Sequence, residues 1–314
     1  MCSTNDIAEI LHATQINDIE FLKRTIKKSN LEWCQVQYEK TGDTVLHIAA
    51  RLGYLDLLKF FLETSSVDVK NKDDKTPLHE AAQFSQSEVI ALLLEHGATV
   101  DALKRADWTP LMLACTKITE ESYKCVELLL QKRALLNLAN KDGWSALHLI
   151  SREGSGPILQ LLCNHGLDIF VVTKNGRTAL HVACLHGHLE IVKLLLNFGL
   201  KVDVVDNCGN TPLHESILGG CVEICDYLLR YGADLNAVNN IGYGVMHLAA
   251  SVGHLSVIKY LVQKSVDVNS STVNGKFTPL HCAARKQHNK TVALLMQLGA
   301  NEFKDSFGRY PSDY

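Results

Sequence analysis

Thr76-Pro77-Leu78-His79 returns as Thr211-Pro212-Leu213-His214, and degenerate versions of this tetrapeptide recur about every 33 residues along the 314-residue chain. Aligned on its first residue, the register runs through Thr44, Thr76, Thr109, Ser145, Thr178, Thr211, Gly244 and Thr278, with spacings of 32, 33, 36, 33, 33, 33 and 34 residues. Three residues on, it reads His47, His79, Met112, His148, His181, His214, His247 and His281. A period of this length, kept from end to end, specifies supersecondary units stacked around one continuous core, because no unit can bury its apolar face alone.

The clearest unit spans residues 175–199. Thr178 offers a side-chain oxygen to the N–H groups that open a short helix, and Gly176 supplies the positive φ of the turn before it. Where proline follows the threonine, at Pro77, Pro110, Pro212 and Pro279, it takes the first helical position, where a missing N–H costs nothing. Ala183 permits close helix approach and Gly187 breaks the first helix. Ile191, Val192, Leu194, Leu195 and Leu196 then form the apolar face of a second helix, which Gly199 caps.

These residues resemble the ankyrin repeat, with its Gly-x-Thr-Pro-Leu-His opening and its Gly-His between two helices. The resemblance covers nearly the whole chain. It implies an all-α repeat fold, an ankyrin-repeat solenoid of about nine helix-turn-helix repeats joined by hairpin loops, with a concave face of hairpins and first helices. The expected organisation is a single array over 1–314. Residues 5–40 form a degenerate N-terminal cap, in which Leu11, Ala13, Ile16, Ile19, Phe21 and Leu22 keep the apolar slots and Asn17 replaces the turn glycine. Residues 41–304 are regular repeats, and 305–314 begin a further hairpin, either as a stub of the ninth unit or because the chain is a fragment or an alternative product.

Composition narrows the function. The net charge of -3 provides no global field for nucleic acid, so direct nucleic-acid binding is not expected. There is no apolar run of membrane-spanning length and no secretory leader pattern at Met1, which places the chain in the cytoplasm, the nucleus or both. The ten cysteines form no Cys-x-x-Cys pair and read as reduced packing residues. His186 and His188 lack a third ligand at helical spacing, so no metal and no cofactor are expected. The phosphate-loop, dinucleotide, nucleophile-elbow and zinc-protease motifs are absent. The chain therefore reads as a monomeric binding protein and not as an enzyme.

The hairpin tips carry the remaining information. Four residues before the threonine register stand Lys40, Lys72, Arg105, Lys141 and Lys174, followed by Asn207, Asn240 and Asn274. With repeats about 10 Å apart, the cations would form a line about 40 Å long, which is either a solvated edge or a binding ridge. Trp108 and Trp144 hold the position just before the helix in adjacent repeats, as exposed anchors beside the cations or as packing between hairpins. The partner-binding residues expected from this pattern are Lys72, Arg105, Trp108, Lys141, Trp144 and Lys174. The 36-residue spacing lengthens the inter-helix turn at Thr116–Ser122, where Met112 also replaces the histidine.

The stretch Leu103–Thr116, together with Asn140-Lys141-Asp142-Gly143-Trp144, Ser151–Gly154 and Asp206–Gly209, is similar to a narrower group of ankyrin proteins, the co-regulators of alanyl-tRNA synthetase. That resemblance implies a protein that binds the synthetase and takes misactivated serine onto its own lysines, limiting serine-for-alanine mistranslation. It carries over to Lys141 directly. At a second acceptor position this chain has Arg105, leaving the neighbouring Lys104, and at a third it has Phe170, with Lys174 the nearest amine. A generic adaptor that binds another protein through the same face is the alternative. Leu228 through Asn236 also resembles the context recognised by an asparaginyl hydroxylase, which makes Asn236 a candidate modification site.

Overall fold

The computed structural model describes residues 4–28, 36–63 and 65–314. Cys2, Cys34 and the 29–35 part of the expected cap lie outside the described residues. The chain divides into two compact units, Met1–Asp168 and Ile169–Tyr314. In the first, five helix pairs follow one another: α1 (Thr4–Gln15) and α2 (Ile19–Lys28), α3 (Val45–Leu52) and α4 (Leu55–Leu62), α5 (Pro77–Gln83) and α6 (Ser87–Glu95), α7 (Pro110–Ala114) and α8 (Glu120–Gln131), α9 (Ala146–Glu153) and α10 (Gly156–Asn164). The second unit holds α11 (Ala179–His186) and α12 (Leu189–Asn197), α13 (Pro212–Leu218) and α14 (Val222–Arg230), α15 (Val245–Val252) and α16 (Leu255–Gln263), α17 (Pro279–Arg285) and α18 (Asn289–Gln297). Among the described residues there are no strands; the hairpins carry single antiparallel bridges such as Lys104 to Trp108 and Val172 to Thr178. The all-helical repeat architecture is as the sequence implies.

Helices of seven to nine residues are too short to stand alone, so capping and packing decide them. The register threonine adopts extended backbone, as at Thr178 (φ -84°, ψ 166°), and its oxygen accepts the His181 N–H. The register histidine does two jobs. Nδ1 of His79 accepts the Thr76 N–H at 3.1 Å, and its Nε2–H donates to the Trp108 carbonyl at 3.1 Å, one repeat further on. His47 reaches Lys75 (2.8 Å), His181 reaches Asn210 (2.9 Å) and His247 reaches Phe277 (3.0 Å) in the same way. The residue receiving each bond is the one just before the next register threonine. Both nitrogens are thus committed to a neutral tautomer, and burial depresses the pKa of each of these rings, that of His79 to about 4.

Within each unit first helices pack on their successors and on their own second helices, which buries Leu46, Leu78, Leu111 and Leu147 in the first unit and Leu180, Leu213 and Leu280 in the second. Cys115, Cys125, Cys184, Cys225 and Cys282 fill the same layer as free thiols. Burial pushes Cys125 up to about 12 and Cys225 and Cys282 up to about 11, so they are packing groups and not nucleophiles. In the cap, Ile10, Leu11, Ala13 and Leu22 are buried, and Asn17 takes the left-handed turn at φ 59°. Ile16 departs from expectation: it sits in that turn and is 59% exposed. The lengthened spacing falls where expected, shortening α7 to 5 residues and extending α8 to 12, with Thr119 accepting the Ser122 N–H at its start.

Candidate functional site

The hairpin tips are tied into a ladder by their backbones. In the first unit the N–H of Lys72 donates to Thr41 O (3.0 Å), that of Arg105 to Asp73 O (2.8 Å) and that of Lys141 to Ala106 O (3.0 Å). Lys72, Arg105 and Lys141 therefore stand where one hairpin grips the one before it. Gly176 in the second unit shows how close that grip is: a Cβ there would lie 3.0 Å from the Asn207 N.

The side chains at these points are not equivalent. The Lys72 ammonium turns back to the Glu39 carbonyl. Arg105 faces Asp73 at 3.4 Å, with both side chains more than half exposed, a pair worth about 0–1 kcal/mol. Lys141 and Lys174 are exposed, and among the described residues their ammonium groups have no hydrogen-bond or ion-pair partner. Asp73, Asp74, Asp107 and Asp142 share the same tips, so the ridge alternates in sign and is not purely cationic. In the second unit the slot changes character. Asn207 donates through Nδ2 to the Lys174 carbonyl and Asn240 to the Asn207 carbonyl, both at 3.0 Å. Where the sequence changes from cation to asparagine, the side chain becomes a strap between hairpins.

The hairpin carrying Lys104 and Arg105 is unusual. Ala106 (φ 65°) and Asp107 (φ 62°) are both left-handed without being glycine, the pattern of a type I′ turn. Holding two such residues costs of order 1–3 kcal/mol each. The turn folds Lys104 against Trp108, with Nζ 5.5 Å from the indole centroid. Lys104 is half-buried, and its ammonium pKa is lowered, chiefly by burial and then by the charge of Lys75. The neighbouring cation that matters is thus Lys75, on the preceding hairpin, and not Arg105.

Trp108 and Trp144 are both half-buried. Trp144 lies beside His148 of its own helix (centroids 6.0 Å apart), with the Arg152 guanidinium 5.7 Å from its ring. Each indole thus has a cation from its own repeat over its face.

Asn236 is exposed. The equivalent asparagines are engaged: Asn137 Oδ1 accepts the Asp168 N–H (3.1 Å), and Asn269 Oδ1 accepts the Asn301 N–H (2.8 Å) while its Nδ2 donates to the Gly299 carbonyl (3.0 Å). Among the described residues the Asn236 carboxamide makes no such bond.

Two features were not foreseen from the sequence. Arg51 joins two buried carboxylates, Asp43 Oδ2 at 2.6 Å and Glu80 Oε2 at 2.9 Å, while Lys75 takes Glu80 Oε1 at 3.0 Å. In the second unit Glu215 occupies the position of Glu80. Its Oε1 meets Arg177 at 2.9 Å, but its fully buried Oε2 has no partner. The signal was legible: seven residues after the register threonine stands Arg51 in one repeat and Leu185 in the other.

Stacked helix pairs, the Thr–His brace and hydrogen-bonded hairpin tips define a repeat protein built to present a surface. The family description "Ankyrin repeats (3 copies)" matches residues 10–104, 99–173, 151–239 and 235–305, and the chain belongs to the ankyrin-repeat family, whose repeats are protein-binding modules. Parts of it are similar to the ankyrin repeat protein nuc-2 of Neurospora crassa, 35% identical over 131 residues, which is 41% of this chain and 12% of that protein. Similarity extends to the nuclear factor NF-kappa-B p105 subunit of Gallus gallus, 32% identical over 141 residues (42% and 14%). A B-cell lymphoma 3 protein homolog of Mus musculus is 34% identical over 143 residues (43% and 31%). The chain therefore spans less than a third of the length of each of these relatives. Among the described residues no helix is long and apolar enough to cross a membrane.

Proposed function

We propose that the chain is a non-enzymatic binding protein of the cytoplasm or nucleus that associates with alanyl-tRNA synthetase through its hairpin rim and accepts misactivated serine on lysine. The partner and the acyl donor come from the resemblance of the 98–220 stretch to ankyrin repeat domain-containing protein sixteen. The observation that carries the reading is the Lys104 hairpin. Its half-buried amine rests on Trp108 and has a lowered pKa, so more of it is neutral than the roughly one part in a thousand of an ordinary lysine near pH 7.4.

Seryl-adenylate is already activated. The neutral amine attacks its carbonyl carbon, an amide forms, the bond to the phosphate breaks, AMP leaves and the amine proton passes to water. A slow step of this kind suffices if the acceptor is held beside the donor. Lys141, exposed on the adjacent tip, and Lys174 are the further acceptors. Lys72, Arg105, Trp108 and Trp144 supply the docking surface.

Incubation of the purified chain with alanyl-tRNA synthetase, ATP and serine, followed by intact-mass measurement and peptide mapping, tests this directly. A seryl increment on Lys104, Lys141 or Lys174 is expected, with loss of the Lys141 label in Lys141→Arg. No increment at any lysine would reduce the function to an adaptor that binds a different protein. Asn236 supports a second, independent reading as a hydroxylation site, because its carboxamide is exposed and uncommitted. An unmodified Asn236 peptide after treatment with the hydroxylase would remove it.

A further inference from the structure

We propose that a pocket beneath Gly244, in the second unit, anchors one aliphatic side chain of an extended peptide segment of a partner protein. At the register position every other repeat carries a threonine or serine with no more than 3% of its surface exposed. Gly244 has φ -92° and ψ -176°, extended backbone that any residue adopts, so the turn does not demand glycine. A Cβ built there would meet Ala237 O at 3.6 Å and Val238 Cγ1 at 3.8 Å, which is ordinary contact. Glycine therefore leaves unfilled the space that the side chain fills elsewhere.

That space opens into a cavity of about 160 Å³, walled by Val238, Gly242, Gly244, Met246, Val266 and Ser271. It is too small for the roughly 300–1,000 Å³ of an ordinary small-molecule site and close to the apolar volume of about 150 Å³ that accepts benzene, which suits one leucine-sized group. Its wall is fixed. His214 Nε2–H donates to the Ala237 carbonyl at 3.0 Å and not to the residue just before position 244, as its counterparts in other repeats do.

The surroundings point to a chain and not to a free small molecule. Beside the pocket Val238 is 62% exposed, and one hairpin earlier Val205 is 57% exposed. These two hairpins are locked together by the Asn240 N–H donating to the Cys208 carbonyl at 2.9 Å and by the Asn240 strap. Neighbouring repeats lie about 10 Å apart, which a segment in the polyproline II conformation covers in three residues at about 3.1 Å each, with every third side chain on the same face. Aliphatic side chains three residues apart would place one in the pocket and the next against Val205. The uncommitted Asn236 carboxamide and the Ser271 hydroxyl can meet the segment's backbone, and the exposed Asp203 and Asp234 favour basic residues at its flanks. The site does not depend on serine capture.

The test is a titration of the full chain, carrying ¹³C-methyl labels on methionine and valine, with the capped peptide acetyl-Lys-Leu-Ser-Ser-Leu-Ser-Lys-amide and with its Leu-to-Ala counterpart. The leucine peptide should shift the Met246 and Val238 methyl signals saturably, and the alanine peptide should bind at least about tenfold more weakly. Gly244→Thr restores the cap and narrows the cavity at its Gly244 wall. It should raise the melting temperature while weakening the leucine peptide at least about tenfold, so the lost binding cannot be ascribed to unfolding. Val205→Asp should weaken binding with the melting temperature unchanged. No shift in the wild type, equal response to the two peptides, or undiminished binding by Gly244→Thr would overturn the proposal.

Discussion

Replacing Arg51 with leucine imposes on the first unit the arrangement that the second unit already has at Leu185. The guanidinium donates to Asp43 Oδ2 at 2.6 Å and to Glu80 Oε2 at 2.9 Å, with those side chains only 6% and 1% exposed. Loss of one partner from a fully buried pair costs about 3–5 kcal/mol, and an exposed pair is worth about 0–1 kcal/mol. Arg51 is 33% exposed, and neither carboxylate is abandoned: Lys75 stays on Glu80 and Asn71 stays on Asp43 at 2.6 Å. The cost should therefore fall between these limits, at about 2–3 kcal/mol, near the desolvation penalty of one orphaned charged acceptor. Because the chain holds two compact units, a single two-state free energy is not assumed; amide exchange in α3 and α5 reports the local loss. The pH dependence follows from Asp43. Burial pushes its carboxyl up, but the Asn71 and Arg51 hydrogen bonds and the Arg51 charge outweigh that and hold it below the ordinary value. Its contribution is therefore fully present above a pH of about 4 and is lost as pH falls towards the depressed value. The gap between wild type and Arg51→Leu should narrow from pH 6 to pH 3. A loss under about 0.5 kcal/mol at pH 6, or an equal loss at pH 3, would show that Arg51 acts only through its guanidinium over the Phe84 ring, 5.7 Å from the centroid.

The converse change, Leu185→Arg, should offer Glu215 Oε2 a donor and stabilise the second unit by about 1–3 kcal/mol at pH 7, measured by urea unfolding. Burial raises the Glu215 pKa, so the wild-type unit loses stability as pH rises through that value and the variant should not. Acid should unfold the whole array early. His47, His79, His181, His214 and His247 all have depressed pKa values because burial disfavours the charged ring. Stability is complete above about pH 6.5 and should fall by up to about 1.4 kcal/mol per pH unit for each histidine below it; a circular-dichroism acid titration that stays flat down to pH 4 would contradict this. Asp107→Gly should relieve left-handed strain and raise stability by about 1 kcal/mol; a loss would mean that the Asp107 carboxylate has a role beyond the turn.

The fold was legible because its determinants are periodic and local. Thr76, Pro77 and His79 sit within four residues of one another, and the cap they form can be read from spacing alone; only the His Nε2 bond to the next repeat needed the third dimension. The rim was legible in position but not in role. The slot that aligns Lys40, Lys72, Arg105, Lys141 and Lys174 with Asn207 and Asn240 falls in the turns of the hairpins. A sequence does not state that Lys72 folds back onto a carbonyl, that Arg105 is paired or that Asn207 is a strap. Nor could it identify Lys75, 29 residues before Lys104, as the cation that lowers the Lys104 pKa. In an array, chemistry arises between residue n of one repeat and residue n of the next, and a one-dimensional reading sees those as far apart. Leu185 in place of Arg51 leaves a carboxylate oxygen without a partner. Gly244 in place of threonine leaves a cavity whose size, rim and charge define what could fill it.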